Sequence, residues 1–252
     1  MAKPEETCPG LADLRRIGVL RGLTEAELLS LAPKCTMQTL RARSHLVLAI
    51  EAAGRVGFVL KGSCRILAMA PNGAGVTIVR SGRGEAFGIA MAMLDQHHPN
   101  RTARLICDEA TTFIFVSYKD FRELAEASPA LCLASLLAVS AAKNDLSSRF
   151  YELATLDVRG RLLAELARMA RDGEYDGQKL VVRAAPTHAE LGDRIGAARE
   201  AVTRQLLDLE RDGIISVGRR EIVIEDIERL RMLEEAAVGQ RQAARGDGGE
   251  DA

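Results

Sequence analysis

Arg199, Glu200, Thr203 and Arg204 lie close together in a stretch whose apolar residues fall elsewhere. At about 100° per helical residue, Val202, Leu206 and Leu209 share one arc, and the four polar residues occupy a neighbouring one. Arginine can donate two parallel hydrogen bonds to guanine O6 and N7, and glutamate can accept one from cytosine N4. Arg199, Glu200 and Arg204 therefore form a set able to read base edges in a major groove. A surface that only held phosphates would gain nothing from Glu200, whose carboxylate repels them unless it is aimed at a base or bridges an arginine. On an isolated helix, Glu200 and Arg204 would read as a solvated i,i+4 pair worth a few tenths of a kcal/mol. The elements around them decide between the two readings.

Upstream, Thr187-His188-Ala189-Glu190 has the pattern of a capping box, which starts a helix at about His188 with Leu191 and Ile195 on its inner face. Gly196 supplies a permissive turn, and a second helix follows from about Ala198 to Arg211. Two short helices joined by a glycine-containing turn, the second exposing polar residues at its N-terminal end, fit helix-turn-helix logic. Downstream, Ile214 to Val217 and Glu221 to Ile224 read as two short strands joined at Gly218-Arg219-Arg220. They form a wing whose arginines can reach phosphates. The candidate DNA contacts are therefore Arg199, Glu200, Thr203 and Arg204, with Thr187, His188, Arg219 and Arg220 around them.

The 252 residues allow one large or two modest domains, and 47% hydrophobic content supplies their cores. A net charge of -1 does not point to nucleic acid, and Leu156 to Ile224 itself holds 12 basic and 12 acidic residues. DNA binding then requires charges segregated by face. The five cysteines (Cys8, Cys35, Cys64, Cys107, Cys132) are odd in number and widely spread, which argues for reduced thiols over a disulfide framework or a metal site. No signal-peptide or membrane-spanning pattern is present, so a cytoplasmic protein without a membrane partner is expected. Neither H-E-x-x-H nor G-x-S-x-G occurs, and Gly82 to Gly88 spaces its glycines as G-x-G-x-x-x-G, which misses the dinucleotide fingerprint. A catalytic role is not expected.

Residues 14 to 33 read as helical, with Thr24 and Glu27 as a second capping box. From Met37 to Val116 come short Val-, Ile- and Phe-rich segments ("RVGFVLKG", "CRILAMA", "VTIVRS", "TTFIFVS") separated by turns such as Pro71 to Gly75. This is the pattern of an antiparallel sandwich or barrel. Pro129 to about Leu153 carries Val139, Ala142, Leu146, Phe150 and Leu153 near heptad spacing, either a seam between two parallel helices or the face of a helix packed on its own domain. A helix at Val158 to Arg171 and a loop "DGEYDGQ" follow. The fold class is α+β, with an antiparallel sandwich or barrel over 1–125, a long helix over 126–155, a winged helix-turn-helix over 156–236 and a disordered tail over 237–252.

With these pieces in order, the chain resembles the CRP/FNR family of bacterial transcription regulators from about Leu14 to Ile227. The resemblance is carried by "FVLKG" (Phe58 to Gly62), "GEAFG" (Gly84 to Gly88), "RTA" (Arg101 to Ala103), the Phe121 to Asp157 helix with its "LDV" hinge (Leu156 to Val158), and "AAREAVTRQLLDLERDGII". It implies a β-roll sensor domain (a cyclic-nucleotide-binding-like jelly roll) over 1–125, a long dimerisation helix over 126–155, and a homodimer whose winged helices bind palindromic double-stranded DNA, with RNA polymerase as a further partner. Arg199, Glu200 and Arg204 match the family's base-contacting positions, which implies half-sites similar to TGTGA. Gly88, Arg101 and Thr102 fit the phosphate cassette of the family's cyclic-AMP binders. Ile89 stands where those binders place a ribose-binding glutamate, and Ala142 and Leu146 stand where they carry polar residues, leaving Ser147. Unmet hydrogen bonds at Ile89 and Leu146 would cost roughly 1 to 3 kcal/mol each. A regulator that does not require cyclic AMP is therefore expected, and no cofactor.

Haem, for which Cys8, His45, His97 or His98 could serve as ligands, is not expected. The alternative is a regulator gated by another small molecule, a cyclic nucleotide or a haem-bound gas. A winged helix that binds protein instead of DNA is a third class.

Overall fold

The computed structural model describes residues 7–47, 54–69, 75–94, 103–171, 173–176, 179–183 and 185–246. The chain divides into two compact units, Met1–Leu146 and Ser147–Ala252. The first opens with α1 (Leu11–Leu14) and α2 (Glu25–Leu31) in place of one helix over 14–33. The interruption follows from the second capping box: Thr24 adopts extended backbone, and its hydroxyl accepts from the Glu27 N–H at 3.3 Å. A residue that caps a new helix cannot also continue the preceding one.

Eight strands follow: β1 (Cys35–Leu40), β2 (His45–Val47), β3 (Arg55–Lys61), β4 (Cys64–Met69), β5 (Gly75–Ser81), β6 (Ala86–Phe87), then α3 (Ile89–Leu94), β7 (Arg104–Cys107) and β8 (Thr111–Ser117). All pair antiparallel, in sheets ordered β1-β8-β3-β6 and β2-β7-β4-β5. The four strand segments read from the sequence are β3, β4, β5 and β8; the Pro71 to Gly75 turn lies, apart from Gly75, outside the described residues. The period of two sorts the side chains of the central strands. Val56, Phe58, Ile114 and Val116 join Leu14, Leu28 and Phe121 in one core, while Val59, Phe113 and Phe115 join Ile66 and Leu105 from the other sheet in a second. Because both faces of β3 and β8 are buried, they read as continuous apolar runs.

Two helices close this part, α4 (Tyr118–Ala127) and α5 (Pro129–Thr155), which meet at an angle of 119°. The helix expected over Phe121 to Asp157 is thus two. Ser128 is extended (φ -120, ψ 102), because a residue before proline is pushed out of the helical region, and Pro129 then begins a new helix. Val139 is half-buried, packed in part against the core of its own unit. A heptad pattern fixes which residues share a stripe, not what the stripe meets.

In the second unit α6 (Val158–Arg171) has the bounds read from the sequence, and β9 (Glu174–Asp176) and β10 (Lys179–Arg183) come next. Part of the segment read as a loop is therefore strand. Then come α7 (His188–Ile195), α8 (Arg199–Arg211), β11 (Ile215–Gly218), β12 (Glu221–Ile224) and α9 (Ile227–Gly246), with the sheet ordered β11-β12-β10-β9. Leu162, Leu166, Leu191, Val202, Leu206, Ile222 and Leu230 are buried together in its core. The backbone of α9 runs into the segment expected as a tail, as far as Gly246. Its Ala, Gln and Arg residues are good helix formers despite the lack of apolar periodicity.

The cysteines are free; Cys35, Cys64 and Cys107 are buried, Cys8 and Cys132 exposed. Burial pushes the Cys35 thiol up to about 12 and the Cys107 thiol up to about 11, so both stay protonated at neutral pH. Among the described residues no single helix is long and apolar enough to cross a membrane.

Candidate nucleic-acid interface

The support for α8 begins with α7. The Thr187 hydroxyl accepts from the Glu190 N–H at 3.3 Å, and the Glu190 carboxylate accepts from the Thr187 N–H at 2.7 Å. Gly196 ends α7 in the left-handed conformation (φ 61, ψ 48), which glycine reaches without a Cβ clash. Gly192 permits the close approach that sets the two helices: a Cβ there would lie 2.5 Å from the Ala197 carbonyl oxygen.

From this turn α8 projects with Val202, Leu206 and Leu209 fully buried, each contributing about 1.5–3 kcal/mol. Helical period sets the neighbouring arc, and Arg199, Glu200 and Arg204 are exposed on it. Thr203 and His188 are placed differently. The Thr203 hydroxyl donates to the Arg199 carbonyl at 2.9 Å and meets His188 Nδ1 at 2.8 Å. These two side chains clamp α7 to α8 at the edge of the exposed face.

In the wing, Gly218 pairs with Glu221, leaving Arg219 and Arg220 as a two-residue turn, both exposed. Arg220 has φ 61, a region a non-glycine residue occupies at a cost of about 1 kcal/mol. Its carbonyl accepts from the Ala185 N–H at 2.9 Å, which holds the tip in place. Arg220→Gly is expected to raise the stability of this unit by about 0.4–1 kcal/mol in thermal melts while weakening DNA binding.

The charges of this unit are sorted by engagement. Asp208 is paired with Arg211, Asp212 with Arg159, Glu174 and Glu221 with Arg183, and Glu225 with Lys179. Glu210 accepts from the Val217 N–H at 2.9 Å. The Lys179 ammonium, hydrogen-bonded to Glu225, holds that carboxyl below the usual carboxylate range. Among the described residues, Arg199, Arg204, Arg219 and Arg220 form no ion pair, and neither does Glu200. The i,i+4 pair open to Glu200 and Arg204 is not made. Arg199 and Arg204 of α8 and Arg219 and Arg220 of the wing turn, with Glu200, are thus exposed charges without an ion pair, four positive against one negative.

Gly88 has φ 84 at the entry to α3, and Ile89 is buried in the helix-facing core of the first unit. Arg101 and Thr102, like His97 and His98, lie outside the described residues, and Ser147 is an exposed residue of the second unit. His45 is exposed, and the Cys8 thiol donates to the Ala32 carbonyl at 3.0 Å. Along α5, Leu146 is 48% and Phe150 71% exposed, and Ala142 is also exposed. Leu133, Leu136 and Leu137 are exposed too, at 58%, 60% and 62%. The sequence reading missed these three because it began the seam at Val139; the run "LCLASLL" carried the signal.

A recognition helix with unpaired arginines, a basic wing and an antiparallel β-roll on one chain define a winged-helix DNA-binding regulator with an attached sensor-type domain. The Crp-like helix-turn-helix domain matches residues 160–233 and the cyclic nucleotide-binding domain matches residues 37–128. The chain is 27% identical over 194 residues to the cAMP-activated global transcriptional regulator CRP of Haemophilus influenzae, covering 75% of this chain and 84% of that protein. It is 26% identical over 197 residues to the cAMP-activated global transcriptional regulator Vfr of Pseudomonas aeruginosa, covering 75% of this chain and 89% of that one. Its fold is similar to a CRP/FNR-family transcriptional regulator from Thermus thermophilus (TM-score 0.64, 22% identity, covering 80% of this chain and 99% of that one). It is also similar to the c-di-GMP responsive global regulator CLP of Xanthomonas campestris (TM-score 0.68, 19% identity, covering 81% and 100%). The chain belongs to the CRP/FNR family of DNA-binding transcription regulators.

Proposed function

We propose that the protein binds a palindromic operator with half-sites similar to TGTGA as a homodimer, and that it does so without requiring cyclic AMP. The observation that carries this reading is the set of unpaired charges on α8 and the wing. Arg199, Glu200 and Arg204 read base edges; Arg219 and Arg220, with Thr187 and His188 near the backbone, hold phosphates. Dimerisation is supported by the exposed Leu133, Leu136 and Leu137 and by Leu146 and Phe150, apolar side chains that a second α5 would cover. Two copies present two recognition helices to successive major grooves about one helical turn apart. A DNA-bound regulator of this kind also meets RNA polymerase.

Independence from cyclic AMP is supported by Ile89. Its side chain is apolar and 4% exposed, so it offers no acceptor to a ribose hydroxyl. The second reading, gating by another small molecule, is favoured by the match of the cyclic nucleotide-binding domain to residues 37–128. Titrating operator with ligand-free protein, then adding cyclic AMP, separates the two: the account expects tight binding that the nucleotide leaves unchanged, no binding by the ligand-free protein supports gating by another small molecule, and binding that appears only with cyclic AMP contradicts the proposed independence. Glu200→Ala is expected to relax the preference at one base pair by about 1–3 kcal/mol, read from competition among single-base variants of the duplex.

A further inference from the structure

Glu165 has no solvent exposure, and charged partners surround it. Its carboxylate accepts from Arg168 Nε at 3.0 Å and from Arg194 Nη1, on α7, at 3.2 Å. Arg168 turns its other two nitrogens to Glu152 on the last turns of α5, with Nη1 at 2.6 Å and Nη2 at 3.0 Å from the two carboxylate oxygens. Burial works against the Arg168 charge, but the Glu152 hydrogen bonds and the charges of Glu165 and Glu152 outweigh it and keep the guanidinium firmly protonated. Four charges of alternating sign thus run from α5 through α6 into the first helix of the helix-turn-helix.

A second set of contacts spans the same corner. Arg161 donates to the Leu156 carbonyl at 2.9 Å and the Gly196 carbonyl at 3.4 Å. The Leu153 side chain lies against Gly196, where a Cβ would come within 2.9 Å of it. At the corner itself the Leu156 N–H donates to the Glu152 carbonyl at 2.8 Å, and Asp157 accepts from the Gly160 N–H at 2.8 Å.

We infer that Glu152 is a positioning residue that locks the corner at Leu156–Val158, so that the last turns of α5 and the recognition helix move as one body. A swing at Leu156–Val158 would separate Arg168 from Glu152, whose side chains are 18% and 16% exposed, breaking two charge-assisted hydrogen bonds and leaving Arg168 with Glu165 alone. Reorientation of the reading helices then arises on the N-terminal side of Glu152. The effect on operator binding rests on the function proposed above; the lock itself does not.

The test is amide hydrogen exchange on the full-length wild type, Glu152→Gln and Glu152→Asp, alongside operator affinity. In the wild type, amides of residues 152–160 should exchange as slowly as those in the middle of α6. Glu152→Gln should speed exchange there by at least about tenfold with α8 unchanged, and should weaken operator binding by a similar factor. Glu152→Asp, which keeps the charge, should recover part of both. Should Glu152→Gln loosen α8 as well, Glu152→Asp gives the same comparison in a milder form. Fast exchange at 152–160 in the wild type, or a corner left unmoved in both variants, would overturn the lock. A loosened corner with wild-type affinity would overturn the positioning role. A protected corner in a protein that binds no duplex would instead overturn the proposed function.

Discussion

Replacing Glu165 by alanine is expected to destabilise the Ser147–Ala252 unit by about 3–5 kcal/mol, the cost of removing one partner from a buried charge network. Arg168 would keep Glu152, but Arg194, whose side chain is 6% exposed, would lose a buried carboxylate partner at 3.2 Å, and a cavity would open beneath α6. Glu165→Gln keeps the volume and one acceptor and should cost less. Urea unfolding followed by circular dichroism at 222 nm reads the difference, since the chain has no tryptophan. A Glu165→Ala midpoint within error of wild type would mean that the network contributes nothing net to stability.

The double variant Leu146→Asp/Phe150→Asp is expected to run as a monomer and to lose roughly 10²–10⁴-fold in operator affinity. Both side chains are largely exposed in the single chain, so aspartate there should leave the subunit folded. Placed opposite their own copies, they would confront like charges in an apolar seam. Each monomer would still engage one half-site, which is why the expected loss is large yet finite. Light scattering reporting the same mass for wild type and variant would remove α5 as the interface.

Local rules made much of the second unit legible. Thr187 and Glu190 fix the start of α7, Gly196 its end, and the Gly-Arg-Arg sequence the wing, all decided within a few residues. What the sequence hid depends on contacts between distant residues. Glu165 lies within the apolar run "LLAELARMA", where a glutamate reads as a solvated face; Arg168 and, 29 residues away, Arg194 together make its burial tolerable. Val139 fits the same stripe as Leu146, yet part of it packs on the core of its own unit. Leu153, assigned to the dimer seam, also lies against Gly196 of the same chain while remaining 42% exposed. The break before Pro129 was visible in the residue type, but the family resemblance smoothed it into one helix.

Base reading by α8 is tested most directly by fluorescence anisotropy of a labelled TGTGA-type palindrome against a scrambled duplex of equal length, at one fixed near-physiological salt concentration. The account predicts that the palindrome binds at least about 10³-fold tighter and that the advantage needs no added nucleotide. Equal affinity for the two duplexes would show that Arg199, Glu200 and Arg204 do not read sequence.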